Sequence, residues 1–456
     1  VLRVTIDPPP NAWPERMASW RATRNNQRAQ RFREQCALPT DRPVVMTGHQ
    51  PAVWHPGVLA KFIACDSAAS TLNAAPAWIV PDQDEVDPFA LRIPVADAHD
   101  RLRAATRRLA APSPTGFAAC SAPAQHVTPI DASDAPLPSV REGAQRIADA
   151  LATHANAPSA ARQAQGALRD LVAPLAAPAP TIFASDLART DLFGELLDRM
   201  AADPKAVTGA YNDAAGALPQ AGVGRLIVNE ANDRYELPLW RVPPGEPRRR
   251  VYAHELADIP REHLAPRALL MTAIVRLAGC DLFIHGTGGG AYDAVTDRWI
   301  DAWLGEPLAP VAVVTATLRL PLRSEIPTPE AAASARWRAH HARHDPALLG
   351  DDAAAERKRA AVERIAALRD AGQDPASAFQ EMQRDLRDYR EANRNHLDEL
   401  DRAADLAEAR LAERDIVADR AWAFPLYPKD ALESLRSDIA GAFAQVDASV
   451  LNRTPA

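Results

Sequence analysis

Lysine is nearly missing from this chain. Among 52 basic residues only Lys61, Lys205, Lys358 and Lys429 are lysines, and the rest are arginines. With alanine so abundant, a GC-rich coding sequence accounts for the bias, and a lysine inside a motif is then hard to dismiss as surface filler. Cysteine is sparse too: Cys36, Cys65, Cys120 and Cys280 have no close Cys or His partner at metal-ligand spacing, so no metal site is expected and a reduced, cytoplasmic protein is. No apolar stretch approaches the ~20 residues needed to cross a bilayer. The N-terminus lacks the basic-then-apolar pattern of a secretory signal. A concentrated basic face is also lacking, since 59 acidic residues leave a net charge of −7, which argues against nucleic acid as a partner. No Ser or Cys stands in a nucleophile motif, so covalent catalysis has no support.

What is present is a long, ordinary globular composition. The chain has 456 residues, 47% hydrophobic and 24% charged, enough for more than one core and too apolar for a disordered polymer. Its 40 prolines are nearly twice the usual share and gather in connectors such as Ala173–Pro180. The first thirty-odd residues suit a polar N-terminal helix. Pro43–Met46 reads as a buried strand, Val58–Leu72 as a helix with an apolar face at three- and four-residue spacing, and Ala77–Val80 as a second strand. That order predicts a βαβ unit in a parallel sheet. Helices are expected near Ser139–Leu151 and Ala160–Val172, and strands at Thr181–Phe183, Asp281–Ile284 and Val311–Leu318. A hairpin is expected across 223–242, turning at Asn229–Arg234.

The composition changes after Pro329. Phe379, Met382, Leu386, Tyr389, Leu397, Leu400, Ala404, Ala407 and Leu411 recur at heptad-like intervals, with one uneven step around Asn393–Leu397. Gly372–Pro375 reads as a helix-to-helix turn. Two antiparallel helices forming a protruding coiled-coil arm follow, the second about 60 Å long. The predicted division is 1–100 (first part of an α/β, Rossmann-like core), 101–180 (an Ala/Pro-rich insertion), 181–328 (second part of the core), 329–419 (the arm), and 420–456 (a segment returning to the core).

Two motifs point to chemistry. The run Thr47-Gly48-His49-Gln50-Pro51-Ala52-Val53-Trp54-His55-Pro56-Gly57, followed by Lys61, leaves a strand and enters a helix, where parallel sheets place ligands. Pro56 fits a helix start, and the N–H groups and dipole there favour an anion. Lys61, about one turn in, opposes that dipole until an anion arrives. His49 and His55 can donate to anionic oxygens or move protons. The plain alternative is a Gly-Pro loop whose histidines cap backbone groups while Lys61 reaches outward. The second motif, His285-Gly286-Thr287-Gly288-Gly289-Gly290-Ala291-Tyr292, loosely fits a dinucleotide fingerprint. It comes late in the chain, and Glu306 precedes the next strand where a ribose ligand should end it. A loop approaching some ligand closely, with His285 and Tyr292 at its rim, fits better than a dehydrogenase. Between these motifs, Asp82-Gln83-Asp84-Glu85 follows the second strand and Ser185-Asp186 a later one, so both belong to the same carboxyl edge.

The order of these features resembles the bacillithiol biosynthesis cysteine-adding enzyme family. Members open with Thr-Gly-Gln-Gln and a downstream Lys, matched by Thr47-Gly48-His49-Gln50 and Lys61 except at His49. Their Trp-(Ile/Val) strand and Glu-Asp-His-Asp loop resemble Trp78-Ile79 and Asp82-Gln83-Asp84. Their Ser-Pro-Asn-Val-Leu-Leu-Arg-Pro segment resembles Ala265–Thr272, and their Gly-Gly-Pro-Gly-Glu-Ile-Ala-Tyr loop the stretch ending at Ala291-Tyr292. Gln83 stands where the family has His, Met271 where it has Arg, and the glycine loop lacks Pro and Glu. The first quarter also resembles the WbqC-like family through His49-Gln50-Pro51, Pro56-Gly57 and Lys61.

The first resemblance implies a Rossmann-like core, a helical arm used for homodimerisation, and a C–N ligase joining cysteine to an amino-sugar amine. His49, Lys61, Asp82 and Asp84 would then be catalytic. Thr47, Gly48, Gln50, His55, Ser185, Asp186, His285, Gly286, Gly288, Gly289 and Tyr292 would bind a small amine and a small carboxylate. The sequence leaves the energy source open, with ATP or another nucleotide as the candidate, and no metal and no membrane partner is expected. The alternative is a non-catalytic or differently specific small-molecule binder or scaffold that dimerises through its coiled coil.

Overall fold

The computed structural model describes residues 2–446, and the chain divides into two units. The first holds Val1–Val95, Ala104–Leu320 and the chain from Arg420 onward; the second holds Ala96–Arg103 and Pro321–Asp419. The class is mixed α/β, and its main sheet is mixed but contains a run of parallel strands.

The first unit opens on strand β1 (Arg3–Asp7), where a polar helix is expected from the arginine content. Alternating Val4 and Ile6 make this an edge strand, antiparallel to the last strand of the sheet. The expected helix is two helices, α1 (Trp13–Thr23) and α2 (Asn26–Gln35). Strand β2 (Val44–Gly48) follows, then α3 (Pro56–Thr71) and β3 (Ala75–Val80). β2 is apolar and buried on both faces, as a central parallel strand must be. Next comes a hairpin, β4 (Ala90–Ala96) and β5 (Leu102–Arg108), in a stretch where no strand is expected. Pro94 and the arginines of β5 hide its pattern, because both are unusual in a half-buried strand.

Helices α4 (Pro138–Thr153) and α5 (Ala160–Val172) precede the short strand β6 (Thr181–Phe183), and α6 (Asp191–Ala202) and α7 (Pro204–Ala217) follow it. The 223–242 hairpin is shorter on one side than the sequence suggests. β7 (Val228–Asn229) has two residues and pairs with β8 (Arg234–Arg241), which also pairs with β9 (Arg249–Tyr252) and β10 (Leu264–Pro266). Helix α8 (Ala268–Ile274) widens into a π turn at Val275–Gly279 before β11 (Leu282–His285), α9 (Thr287–Leu304) and β12 (Val311–Thr317).

The main sheet runs β1-β12-β11-β2-β3-β6, all parallel except β1. From β2 the chain crosses through α3 to β3 on one side; from β11 it crosses through α9 to β12 on the other. The two crossovers lie on opposite faces. Met46, Ile79 and Phe283 share a core with Val295, Trp299 and Ile300 of α9, whereas Trp78, one residue out of phase with Ile79, meets Phe62 of α3 edge-on at 5.0 Å. Phe62 in turn stacks on Trp54 at 3.9 Å. A crevice therefore opens between β2 and β11 at their carboxyl ends, the usual ligand position in open α/β sheets. At the opposite end Asp281 is fully buried, bound by Arg24 and Arg33 and by the Val44 N–H at 2.7 Å. It ties the starts of β2 and β11 together.

The second unit is helical: α10 (Pro329–Ala342), α11 (Asp352–Asp370), α12 (Ala376–Ala392), α13 (Arg394–Ala412) and α14 (Arg414–Ala418). The two uninterrupted helices expected from the heptads are instead four main pieces, α10 packed along α13 and α11 along α12. The uneven step near Asn393 is the junction of α12 and α13. Tyr389 fixes the elbow by donating its hydroxyl to the Ala342 carbonyl at 2.7 Å. Returning to the first unit, α15 (Lys429–Phe443) packs on α3, with Phe443 edge-on to Trp13 at 5.1 Å. Residues 447–456 of the expected returning segment lie outside the described residues. No helix among the described residues is long and apolar enough to cross a membrane.

Candidate functional site

A cavity of about 430 Å³ occupies the crevice, walled by the ends of β2, β3 and β11 and the first turns of α3, α8 and α9. It brings together Gly48, His49, Gln50, His55, Lys61, Asp84, His285, Gly286, Gly288, Gly289 and Tyr292. All its lining residues belong to the first unit.

Each wall has a local cause. Gly48 ends β2 without a side chain because a Cβ there would lie 2.2 Å from the Ile79 carbonyl oxygen of β3. Lys61, 4% exposed, donates its Nζ to the Gly48 carbonyl at 2.6 Å. Burial pushes this ammonium down to about 7, so it sits at the edge of ionisation at physiological pH. The His55 Nδ1 accepts from the Gly57 N–H at 3.0 Å and caps α3, so this histidine has the capping duty weighed from sequence while still facing the cavity. Burial, then Lys61 and His55, lower His49 to about 3, and its ring is neutral. Gln50 donates to Asp84 at 3.0 Å. Asp84 also meets Arg248 at 3.3 Å, and Arg248 bonds Glu85 at 3.0 Å while lying 4.3 Å over Trp240. The acidic loop is thus held by an arginine from β8–β9.

The expected glycine loop is a helix start. Gly286 is the N-cap of α9, and Gly288, Gly289 and Gly290 form its first turn. A Cβ on Gly290 would come within 2.6 Å of Val313, and one on Gly289 within 2.2 Å of His285 Nδ1. Close packing, and no left-handed backbone, therefore explains Gly289 and Gly290, whereas a Cβ on Gly288 would meet open space and one on Gly286 only an ordinary contact with Lys61. The N-cap carries no side-chain hydrogen bond and the first turn holds no acid, so the helix presents bare N–H groups and its positive dipole end to the cavity. His285 is not at a rim: it is 6% exposed. Its Nε2 lies 2.7 Å from Asp293, off the line of a well-formed hydrogen bond. Burial outweighs that carboxylate and lowers its pKa. Tyr292 is pushed up to about 12 by burial, with Asp293 and Asp84 adding to the effect; it is a neutral donor.

Four of the expected residues are elsewhere. Thr47 is fully buried, and its hydroxyl donates to the Ile284 carbonyl at 2.8 Å, stitching β2 to β11. Asp82 is buried beneath the sheet edge, accepting from the Ser185 N–H at 2.9 Å and hydroxyl at 2.6 Å. Burial raises it to about 6. The pair joins β3 to β6. Asp186 binds Arg162 at 2.7 Å, and Ser185 and Asp186 line a separate cavity. The acidic run is a turn, with the Asp82 N–H bonded back to the Val80 carbonyl at 2.9 Å, and it buries Asp82 and Gln83 while Asp84 reaches the crevice.

Arg420, Thr315, Ala268 and Met271 also line the cavity. Arg420, which donates to Thr317 at 3.2 Å, comes from a segment more than a hundred residues past the nearest motif, and no local pattern marks it. The four cysteines are free thiols, each pushed up to about 12 chiefly by burial, and chemically quiet. Among the described residues no group of three or more His, Cys, Asp or Glu could hold a metal ion. No family model matches the chain, and no curated protein matches it.

Proposed function

We propose that this cavity receives the anionic, activated carboxyl group of a small substrate and that the chain is a C–N bond-forming ligase, most simply one that adds cysteine to an amino-sugar amine. The observation that carries the reading is the meeting of bare α9 N–H groups, the buried Lys61 amine and neutral His49 around one crevice. A phosphate or carboxylate there restores the charge on Lys61 and satisfies the helix end. Asp84, held by Gln50 and Arg248, supplies the negative wall suited to the incoming amine. The carboxyl is activated by a nucleotide co-substrate, and the first unit is a Rossmann-like fold. The resemblance to the cysteine-adding enzymes points the same way.

The helical unit is the coiled-coil arm of this reading, and a homodimer forms through it. Light scattering then gives twice the 49.3 kDa chain mass, falling to one when the arm is removed. The central test is mass spectrometry of products from purified protein with cysteine, glucosaminyl-malate and ATP, alone and combined. Lys61→Ala is expected to lower turnover at least about 100-fold with the fold intact; full activity in that variant rejects the role. Absence of product, with no thermal shift from nucleotides, amino acids or amino sugars, supports a non-catalytic scaffold instead.

A further inference from the structure

Behind the cavity wall lies a chain of buried charge that binding alone does not require. Arg276 is 2% exposed and sits on the π turn after α8. Wide turns of this kind interrupt regular helix bonding and concentrate at functional sites. Its guanidinium donates to the Ala309 carbonyl at 2.8 Å, Asp297 at 2.7 Å and Asp293 at 3.3 Å. Asp293, 4% exposed, turns its other oxygen to His285 Nε2. The Nδ1 of His285 has no partner among the described residues and faces the first turn of α9, in the space that the missing side chain of Gly289 leaves.

We propose that His285 is the general base of an acyl transfer in this cavity, with Asp293 and Arg276 as its positioning residues. The Asp293 carboxylate 2.7 Å from Nε2 favours the tautomer with its proton on Nε2, which leaves the Nδ1 lone pair open once the contact aligns. Both His49 and His285 feel the Lys61 charge, and of the two it is His285 that has a carboxylate beside it to offset that charge on the protonated ring a base must become. The substrate class is an activated acyl group, an acyl phosphate or acyl adenylate, attacked by an amine. The amine nitrogen bonds to the carbonyl carbon, its proton passes to His285 Nδ1, and the oxyanion forms at the bare N–H groups of α9. Collapse expels the phosphate or nucleotide, and the imidazolium releases the proton to solvent. No protein nucleophile is needed, in keeping with the lack of a Ser or Cys in the cavity.

This inference rests on the ligase reading for its substrate but can be tested apart from it. The full chain, labelled with ¹⁵N-histidine, is observed by NMR, with His285→Gln assigning the resonance. The expected result is an Nε2-protonated His285 with an unprotonated Nδ1 that shifts when acetyl phosphate is added. An Nδ1-protonated ring, or an Nδ1 untouched by acetyl phosphate, overturns the proposal on the wild-type protein alone. In the second arm acetyl phosphate and hydroxylamine are the substrates, and hydroxamate is measured. Asp293→Asn is expected to lower the rate about 10²–10⁴-fold and to abolish the tautomer preference; an unchanged rate overturns the proposal. Hydroxamate formation without any cysteinyl product would sink the substrate of the ligase reading and leave His285 in place.

Discussion

At the residue scale Lys61 is the costly group. Its pKa falls from 10.5 to about 7 because the folded chain buries it. Between those two values the unfolded chain binds more protons than the folded one, so stability rises with pH across that window. Below about 7 both forms are charged and the whole cost of burying the ammonium is present. Each unit corresponds to about 1.4 kcal/mol. Lys61→Met should therefore stabilise the fold at pH 6 by roughly 2–4 kcal/mol, with the gain fading toward pH 10, as read by urea denaturation at the two pH values. An equal gain at both would show that this lysine keeps its proton regardless of burial. A group that weakens the fold and faces a cavity is better explained by a ligand than by packing.

At the element scale, several contacts depend on an absent side chain. Gly143 lies within α4, where a Cβ would come within 2.1 Å of the Pro425 carbonyl oxygen, and this lets the helix sit against Phe424–Leu426. Arg146, one turn on, donates to the same carbonyl at 2.6 Å. Gly143→Ala should gain helix propensity yet lose about 1–3 kcal/mol, because backbone cannot move aside as a side chain can. Thermal denaturation of the variant checks the sign: a raised midpoint would mean that the approach relaxes freely. The same close fit operates at Gly48, against Ile79 of β3, and at Gly290, where it sets how near α9 comes to Val313 of β12.

At the scale of the whole molecule, the cavity and the helical unit are separable. Every lining residue lies in the first unit, while the second has its own small core, in which Leu386 and Tyr389 meet Ala354. Compact units with independent cores unfold as separate transitions. Leu386→Ala, 5% exposed in the parent chain, should cost about 2–5 kcal/mol in one calorimetric transition only. Phosphate affinity measured by titration calorimetry should not change. Weakened phosphate binding in this variant would show that the helical unit supports the cavity.

The sequence by itself determined the elements whose burial is complete or whose boundaries are marked by special residues. The stretches Pro43–Met46, Ala77–Val80 and Asp281–Ile284 announce buried strands because they hold continuous apolar runs, and Pro56 fits the start of α3 because that position needs no N–H donor. The cavity motifs were legible for the same reason: Gly48, Lys61 and the glycine run obey local rules. Only the tertiary structure decided the rest. Glycines in the first turn of a helix read like glycines in a loop, since the difference lies in what they pack against, here Val313 and His285. Asp82 and Asp84 look equivalent along the chain, and the turn after β3 sends the first beneath Ser185 and the second into the crevice. Arg420, Asp293 and Arg276 reach the site or its back wall from distant segments, and charge placed by folding leaves no periodic trace in the sequence.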